Sequence, residues 1–229
     1  MISQFLVRWI FLVPLAPTLA MSFEIPESQI IAENKATPAH PNIDIAIAKG
    51  DLADVKLQLA ADPTKLNQGA TEKSRTPLEQ AVLRNKQDIA LYLLEKAANP
   101  NTADASKRTP LHLAIERNNP QLVIALLKAG ALPDLHDKSG WTPLHHAAAK
   151  NQLETTRALI AGGANPMTLS ALGGTPLHEA AASGGKEVIE FLLASGVDPT
   201  LKSKQGVTAL DLAKEYKNTP AIEVLEKVK

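Results

Sequence analysis

Apolar side chains recur along most of this chain at spacings typical of short amphipathic helices. A leucine followed three residues later by an alanine marks a first segment, as in Leu78 with Ala81. A second segment follows with apolar residues at helical spacing, as in Ile89 with Leu93. The pattern predicts a series of helix pairs, and therefore an all-α fold.

Turn signals divide these helix pairs into equal units. Thr-Pro-Leu begins four segments that lie 33 residues apart, and Thr208-Ala209-Leu210 continues the same period. Twenty-one residues after each of the first four threonines comes a short motif of the Gly-Ala-Asn-Pro type, as at Gly163. The complete motifs are Thr76-Pro77-Leu78-Glu79, Thr109-Pro110-Leu111-His112, Thr142-Pro143-Leu144-His145 and Thr175-Pro176-Leu177-His178.

A 33-residue period that carries these two motifs resembles the ankyrin repeat. The resemblance implies an ankyrin-repeat solenoid of about six helix-turn-helix units with short hairpin fingers, over residues 42–229. The first unit, from Asn42, lacks the Thr-Pro-Leu-His motif, and the first and last units are expected to cap the array. Asp44 and Lys49 fit such a cap, because a stacked unit would carry apolar or small residues there.

Local physical chemistry agrees with the repeat. Threonine is a favoured helix N-cap. Proline is tolerated at the first helical position, because an N–H there has no hydrogen-bond partner within the helix. Glycines such as Gly130 can end the second helices in the left-handed conformation. Ala97 occupies that position in the second unit, so we expect a strained or differently closed turn there. Gly140 fits a tight finger turn, whereas Lys107, at the equivalent position one repeat earlier, does not.

The composition excludes several classes of function and does not alter the predicted fold. The chain has 229 residues with 24 basic and 24 acidic side chains, and zero net charge argues against nucleic-acid binding through overall electrostatics. The absence of cysteine excludes disulfide scaffolds, thiol catalysis and cysteine-based zinc sites. Aromatic residues make up 3%, which is few for stacking on bases or sugars.

Residues 1–20 have the features of a signal peptide. Arg8 precedes an apolar run that Pro14 and Pro17 interrupt, so the run is too short to span a membrane. Thr18 and Ala20 place small side chains at a cleavage site. We expect a periplasmic protein without stable membrane insertion after cleavage, and we interpret residues 21–41 as a linker or draped segment. The alternative is a cytoplasmic protein that keeps this segment as a frayed helix, interaction helix or anchor.

The histidines of the repeated motif invite a metal interpretation, which their positions disfavour. Stacked helices lie about 8–10 Å apart, whereas each ligand of a zinc ion lies only about 2 Å from it. The family resemblance implies that His112, His145 and His178 bond locally to threonine and backbone. Gly185-Lys186 lacks the rest of a phosphate-binding loop, and no serine has a catalytic neighbour pattern. We therefore expect no enzyme activity, catalytic residue, metal, cofactor or small-molecule substrate.

The resemblance implies a concave face, which we define as the finger tips and the outward positions of the first helices. Basic residues outnumber acidic ones there, mainly in repeats 2 to 4, and repeat 5 contributes an uncharged stretch beside Trp141. His146 is the one histidine expected to contribute a contact. An ordinary solvated surface, with Trp141 packed on a neighbouring finger, is the alternative. The predicted partner-binding residues are Arg75, Arg84, Arg108, Arg117, Lys138, Trp141, His146, Lys150 and Leu172.

The resemblance thus implies a non-catalytic protein–protein interaction module, and the exported single array looks like small bacterial ankyrin proteins. Its expected partner is a protein, with an acidic surface that complements the basic positions. The alternative function is a cytosolic or membrane-anchored regulatory or inhibitory subunit of an enzyme. Nucleic-acid binding would require a steep salt dependence, for which the basic excess is small.

Overall fold

The computed structural model describes residues 37–69, 75–183 and 185–228. The expected signal peptide, residues 21–36 of the expected linker, and the finger residues Glu72 and Lys73 lie outside them. Within the described ranges, no helix has the length and apolar character needed to cross a membrane.

The predicted all-α repeat architecture is confirmed. Helices follow one another in pairs, and a 3₁₀ turn at Pro63–Asn67 follows the first pair while another at Glu226–Val228 follows the last. The first helices of the pairs pack side by side, and so do the second helices. The helices are α1 Ile43–Lys49, α2 Leu52–Ala61, α3 Pro77–Leu83, α4 Gln87–Glu95, α5 Pro110–Glu116, α6 Pro120–Lys128, α7 Pro143–Ala149, α8 Leu153–Ala161, α9 Pro176–Ser183, α10 Lys186–Ala194, α11 Ala209–Glu215 and α12 Thr219–Leu225.

The motif histidines join the first helices of repeats 3, 4 and 5 to the next finger. In α7, the backbone N–H of Thr142 donates to Nδ1 of His145 at 3.2 Å, so this nitrogen carries no proton. Nε2 therefore carries the proton of the neutral ring and donates to the carbonyl of Gly174 at 3.0 Å. His112 bonds in the same way to Trp141 and His178 to Val207. The expected structural role of these histidines is confirmed, and we call the three bonds to the next finger the histidine ladder.

Glu79 occupies the ladder position in repeat 2. Its Oε2 accepts from the N–H of Thr76 at 2.6 Å, which closes the same local loop. Its buried Oε1 has no hydrogen-bond partner, and a carboxylate has no N–H to offer the next finger. The histidine ladder therefore joins repeats 3 to 6 and does not extend to the junction between repeats 2 and 3.

Buried apolar side chains from both helix layers hold the repeats together. Leu111, Leu144 and Leu177 occupy one position in successive repeats, and each is at most 1% exposed. Second helices contribute residues such as Leu126, which is fully buried. Because each repeat leaves an apolar face that only its neighbour can cover, stability comes from the stacking.

The last repeat has one apolar and one polar face, whereas the first repeat contacts its neighbour through a polar residue. In α12, Val224 and Leu225 are buried and Glu223 is exposed, so only one face is apolar. In α1, however, Asp44 accepts a hydrogen bond from Gln80 of α3 at 2.6 Å. Asp44 therefore faces repeat 2, where a polar partner binds its carboxylate. Of the two residues expected on the capping surface, only Lys49 is exposed.

The predicted fingers are tight turns. The described residues contain no regular strand, only an isolated bridge between Lys202 and Thr208. Neighbouring fingers bond through their backbones, since the N–H of Ala171 donates to the carbonyl of Gly140 at 3.2 Å. Gly140 has φ of 77°, and a Cβ there would lie 2.3 Å from that of Ala171. The absence of a side chain at Gly140 therefore allows two fingers to approach each other.

Ala97 adopts the left-handed backbone conformation that its counterparts reach with glycine. Its φ is 62°, compared with 86° at Gly130 and 91° at Gly163. The turn closes in the same way, because the N–H of Ala97 donates to the carbonyl of Leu94 as that of Gly130 does to Leu127. The expected strain at this turn is therefore present, and Lys107, with φ of 58°, shares it.

Ala97→Gly is accordingly expected to raise the free energy of unfolding by about 1 kcal/mol, because a left-handed residue with a Cβ is strained by roughly 1–2 kcal/mol. Urea denaturation monitored by circular dichroism measures the change. Gly130→Ala is the matched control and should destabilise by a similar amount, since no atom lies within 4 Å of its Cβ position. A destabilised Ala97→Gly variant would contradict the strain argument.

Residues 37–41 lie on repeat 1. The carboxylate of Asp54 in α2 accepts hydrogen bonds from the backbone N–H groups of Ala39 and His40. The side chain of Gln58 donates to the carbonyl of His40 at 3.1 Å. Asp54 and Gln58 are both nearly fully buried, so these polar contacts fix the segment on the helix.

Candidate functional site

A groove of about 190 Å³ opens between repeats 3 and 4, and Arg108, His112, Glu116, His146 and Lys150 line it. Arg108 lies on a finger. His112 and Glu116 belong to α5, His146 belongs to α7, and Lys150 directly follows α7. The structure thus brings three of the predicted binding residues, Arg108, His146 and Lys150, around one concavity. It also shows two residues there that the sequence did not single out for binding, His112 and Glu116.

Asp104 builds the finger that carries Arg108. Its Oδ1 accepts from the backbone N–H groups of Ser106 at 2.8 Å and Arg108 at 3.0 Å. Its Oδ2 lies 2.9 Å from Nη2 of Arg108 and 3.2 Å from Nη2 of Arg75. Burial alone would raise the pKa of Asp104, but hydrogen bonds from the Arg108 side chain and these backbone groups outweigh it and lower the pKa.

The buried carboxylate of Asp104 therefore compensates two of the predicted basic contacts. Arg108 also pairs with Glu116 through Nη1 at 3.0 Å, so two acidic groups hold its guanidinium. Arg75 and Arg108 are partly exposed, but carboxylates already compensate their charge. The finger needs a buried acceptor for its own N–H groups, and that acceptor also binds the nearby cations.

Trp141 and His146 form an aromatic pair at the groove. The ring centroids of Trp141 and His146 lie 5.0 Å apart in an edge-on arrangement, and His145 lies at 6.3 Å from the indole. Nε2 of His146 lies 2.8 Å from Oδ2 of Asp137, which orients the imidazole. The indole is half-buried, so it packs on these histidines and keeps an accessible edge.

Asp137 organises the next finger in the same way as Asp104 organises its own. Its Oδ1 accepts from the backbone N–H groups of Ser139 at 2.9 Å and Trp141 at 3.0 Å. Burial would raise the pKa of Asp137, but the bonds from Trp141 and His146 outweigh it and lower the pKa. The carboxylate thus stays ionised and fixes both aromatic residues of the groove.

The other predicted basic residues remain accessible. Arg84, Arg117 and Lys150 end first helices, Lys138 lies on a finger, and all four are exposed. None of them makes an ion pair with another of the described residues. Leu172, on the finger after Trp141, is 63% exposed and is the most exposed of the large apolar side chains described.

Repeat 5 differs from the uncharged stretch that the sequence predicts. Glu179 of α9 occupies the position of His146 one repeat later and is half-buried, and burial raises the pKa of its carboxyl group. Gly174, the last residue of the finger before Thr175, is buried, and its carbonyl accepts the bond from His145.

The repeat period identifies Asp104 and Asp137 in the sequence, although a count of the charges at the finger tips does not. Both residues lie four positions before the last residue of a finger, 33 residues apart, and Ser170 and Ser203 hold the same position later. Short side chains with an acceptor oxygen are favoured in turns because they bond backbone N–H groups two residues on. This periodic acceptor marks the residues that organise the fingers.

Comparison with known families agrees with this geometry. A family model described as ankyrin repeats, in three copies, matches residues 43–137 and 118–203. No curated protein matches the chain. Ankyrin repeats are generally protein–protein interaction modules and are typically non-catalytic. Because these matches together cover residues 43–203, well over half of the sequence, the chain belongs to the ankyrin-repeat family.

Proposed function

We propose that this protein is a non-catalytic binding module that holds a protein partner with an acidic surface on its concave face. The observation that supports this most is the groove that His146 and Lys150 line, where Trp141 packs on His146. Arg117, at the exposed end of α5, and Lys150 make no ion pair with another of the described residues. Aromatic and arginine residues are the types enriched among binding hot spots. The remaining predicted contacts, Arg84, Lys138 and Leu172, extend this surface over the neighbouring repeats.

Charge and apolar contact would act at different stages of binding. Exposed cations attract an acidic surface over a distance comparable to the Debye length, about 10 Å at 0.1 M salt. They mainly change the association rate, whereas a desolvated aromatic residue mainly changes the dissociation rate. Arg108 does not belong with the steering charges, because Asp104 and Glu116 already hold its guanidinium.

Site-specific crosslinking tests the proposed surface. A photoreactive amino acid placed at Lys150 should capture the partner in cells of the native host, and mass spectrometry then identifies it. The same group at Ile124, an exposed residue of the second helix α6, is the control and should capture little. Capture from Ile124 and none from Lys150 would place the interface on the second helices.

Once a partner is identified, the kinetics provide a sharper prediction. Arg117→Glu with Lys150→Glu should slow association at least tenfold at low salt and weaken its salt dependence. Trp141→Ala should speed dissociation about 30-fold, which corresponds to a loss of about 2 kcal/mol. Lys128→Glu, at the end of α6, is the matched control and should change neither rate. Surface plasmon resonance measures both, and unchanged rates in all variants would refute the concave site.

We also propose that the protein acts in the periplasm after cleavage behind Ala20, since the first 20 residues combine a short apolar run with a small-residue cleavage site. N-terminal sequencing of protein from its own host tests this. A mature chain that begins at Met21 would support export. An intact Met1 on cytosolic or membrane-bound protein would instead favour a regulatory or inhibitory subunit that keeps the segment.

A further inference from the structure

Cations end the first helix of four consecutive repeats. Lys49 is the last residue of α1, and Arg84, Arg117 and Lys150 directly follow α3, α5 and α7. All four side chains are exposed, and none makes an ion pair with another of the described residues. We call these four residues the cation column.

Hydrogen bonds between repeats bring the ends of the first helices side by side. The side chain of Asn119, just beyond Arg117, donates to that of Asn85, just beyond Arg84, at 2.8 Å. The side chain of Gln152, just beyond Lys150, donates to the carbonyl of Ile115 near the end of α5 at 2.9 Å. Packed helices lie about 8–10 Å apart, so the column places one cation at about this interval across four repeats.

The column ends at repeat 5. Ser183 and Tyr216 take the equivalent positions in repeats 5 and 6, and both are exposed. Glu179, one turn before Ser183, is a half-buried carboxyl group without an ion pair among the described residues. An anionic ligand is therefore attracted along repeats 1 to 4 and repelled at repeat 5, which limits the length of the complementary segment.

We propose that the cation column binds an extended acidic segment of the partner that carries a carboxylate at every third residue. This inference rests on the proposed function and specifies the chemistry that the concave face selects. A polyproline II segment rises about 3.1 Å per residue with three residues per turn, so every third side chain returns to one face after about 9.3 Å. That distance lies inside the expected 8–10 Å interval between cations.

Other backbone conformations match the column less well. An α-helix returns a side chain to nearly the same face after seven residues, or about 10.5 Å, which exceeds the interval between packed helices. A β-strand presents one face every second residue, or about 6.6 Å, and its third residue points to the opposite side. The interval thus favours an extended segment with a three-residue period.

The preference of helix C-termini for cations does not by itself account for an unpaired column. Cations stabilise a helix end through its dipole, and that effect would also operate in repeat 5, where the last turn of the first helix carries no cation and ends at Ser183. Four like charges about one Debye length apart repel one another weakly at 0.1 M salt. A segment that supplies one carboxylate to each cation would relieve that repulsion, so binding should weaken as salt rises.

Fluorescence anisotropy with designed peptides tests the period directly. The probe is a proline-rich peptide of about twelve residues with glutamate at every third position, and its comparison peptide has the same composition with the four glutamates contiguous. The periodic peptide should bind the full chain at least tenfold more tightly at low salt. Arg84→Gln with Arg117→Gln should reduce its affinity at least tenfold, whereas Lys128→Gln with Lys227→Gln, two exposed lysines off the column, should change it less than twofold.

Two results would overturn the inference. Equal affinity for both peptides would refute the three-residue period, and tighter binding of single-stranded oligothymidine than of the periodic peptide would assign the column to nucleic acid. Crosslinking distinguishes this failure from failure of the proposed function. If Lys150 still captures a protein partner while the periodic peptide does not bind, only the proposed segment is wrong.

Discussion

Leu144→Ala is expected to lower the free energy of unfolding by about 2–5 kcal/mol. Leu144 is fully buried in α7, at the centre of the stacked repeats, and truncating such a leucine leaves a cavity that the neighbours fill only in part. Urea denaturation at equilibrium, followed by circular dichroism at 222 nm, measures the loss. The residue lies outside the accessible surface, so the effect on binding should follow from unfolding alone.

Leu132→Ala is the matched control for this prediction. Leu132 is 53% exposed in the loop after α6, so the same truncation should change the stability by less than about 0.5 kcal/mol. Thr142→Ala should lie between the two variants at about 1 kcal/mol, because it removes the hydroxyl group 2.7 Å from Nδ1 of His145. Equal effects at Leu144 and Leu132 would mean that the assignment of inward and outward positions is wrong.

Mild acid should destabilise the array through the histidine ladder. Burial lowers the pKa of His112 and His145 from 6.5 to about 4, although their bonds to backbone carbonyls oppose the shift. Between these values the unfolded chain binds protons that the folded chain does not. The stabilisation is therefore complete above pH 6.5 and is lost as the pH falls towards 4.

The magnitude at pH 5 is roughly 2 kcal/mol for each of these two histidines, since one pKa unit corresponds to about 1.4 kcal/mol. The lowered pKa of His178 adds to the loss. The raised pKa of Glu179 opposes it at the acidic end of the range. Protonation of Nδ1 also removes the acceptor for the threonine N–H, so the acid form breaks the bond that orients the ring.

Urea titrations from pH 7.5 to 4.5 measure this dependence. His112→Gln with His145→Gln should reduce its slope, because an amide keeps an acceptor and a donor but does not titrate in this range. Leu132→Ala, at an exposed position with no titratable side chain, should leave the slope unchanged. A stability that stays constant over this range in the wild-type chain would contradict the neutral, buried state of the ladder.

The local elements of this fold could be predicted because single residues determine them. Thr142 and Pro143 specify a helix start through capping and a fixed φ, whatever surrounds them. The strain at Ala97 followed equally from its position, since only the left-handed conformation closes that turn. The charge of the concave face could not be predicted in this way, because it depends on contacts between residues distant in the sequence.

Arg75 shows why the binding surface was harder to predict than the helices. Its partner Asp104 lies 29 residues later, on the next finger, and the pair forms only when two repeats stack. Asp44 gives the same lesson, because its partner Gln80 lies 36 residues away. A net charge counted along the sequence includes every cation. In the stacked structure, a cation keeps an uncompensated charge only where no carboxylate lies across the junction between repeats.

The interruption of the histidine ladder at Glu79 makes the two parts of the array sensitive to different solution conditions. Where the ladder is missing, the ion pair of Arg75 and Asp104 joins repeat 2 to the next finger, and the Arg75 side chain is 38% exposed. Salt partly screens this ion pair, because the Arg75 side chain reaches the solvent, whereas it has little influence on a buried imidazole that donates to a carbonyl. Raised ionic strength should thus weaken the junction between repeats 2 and 3, and mild acid should weaken the junctions among repeats 3 to 6. A cell compartment that changes only one of these conditions would therefore alter one end of the binding surface and leave the other in place.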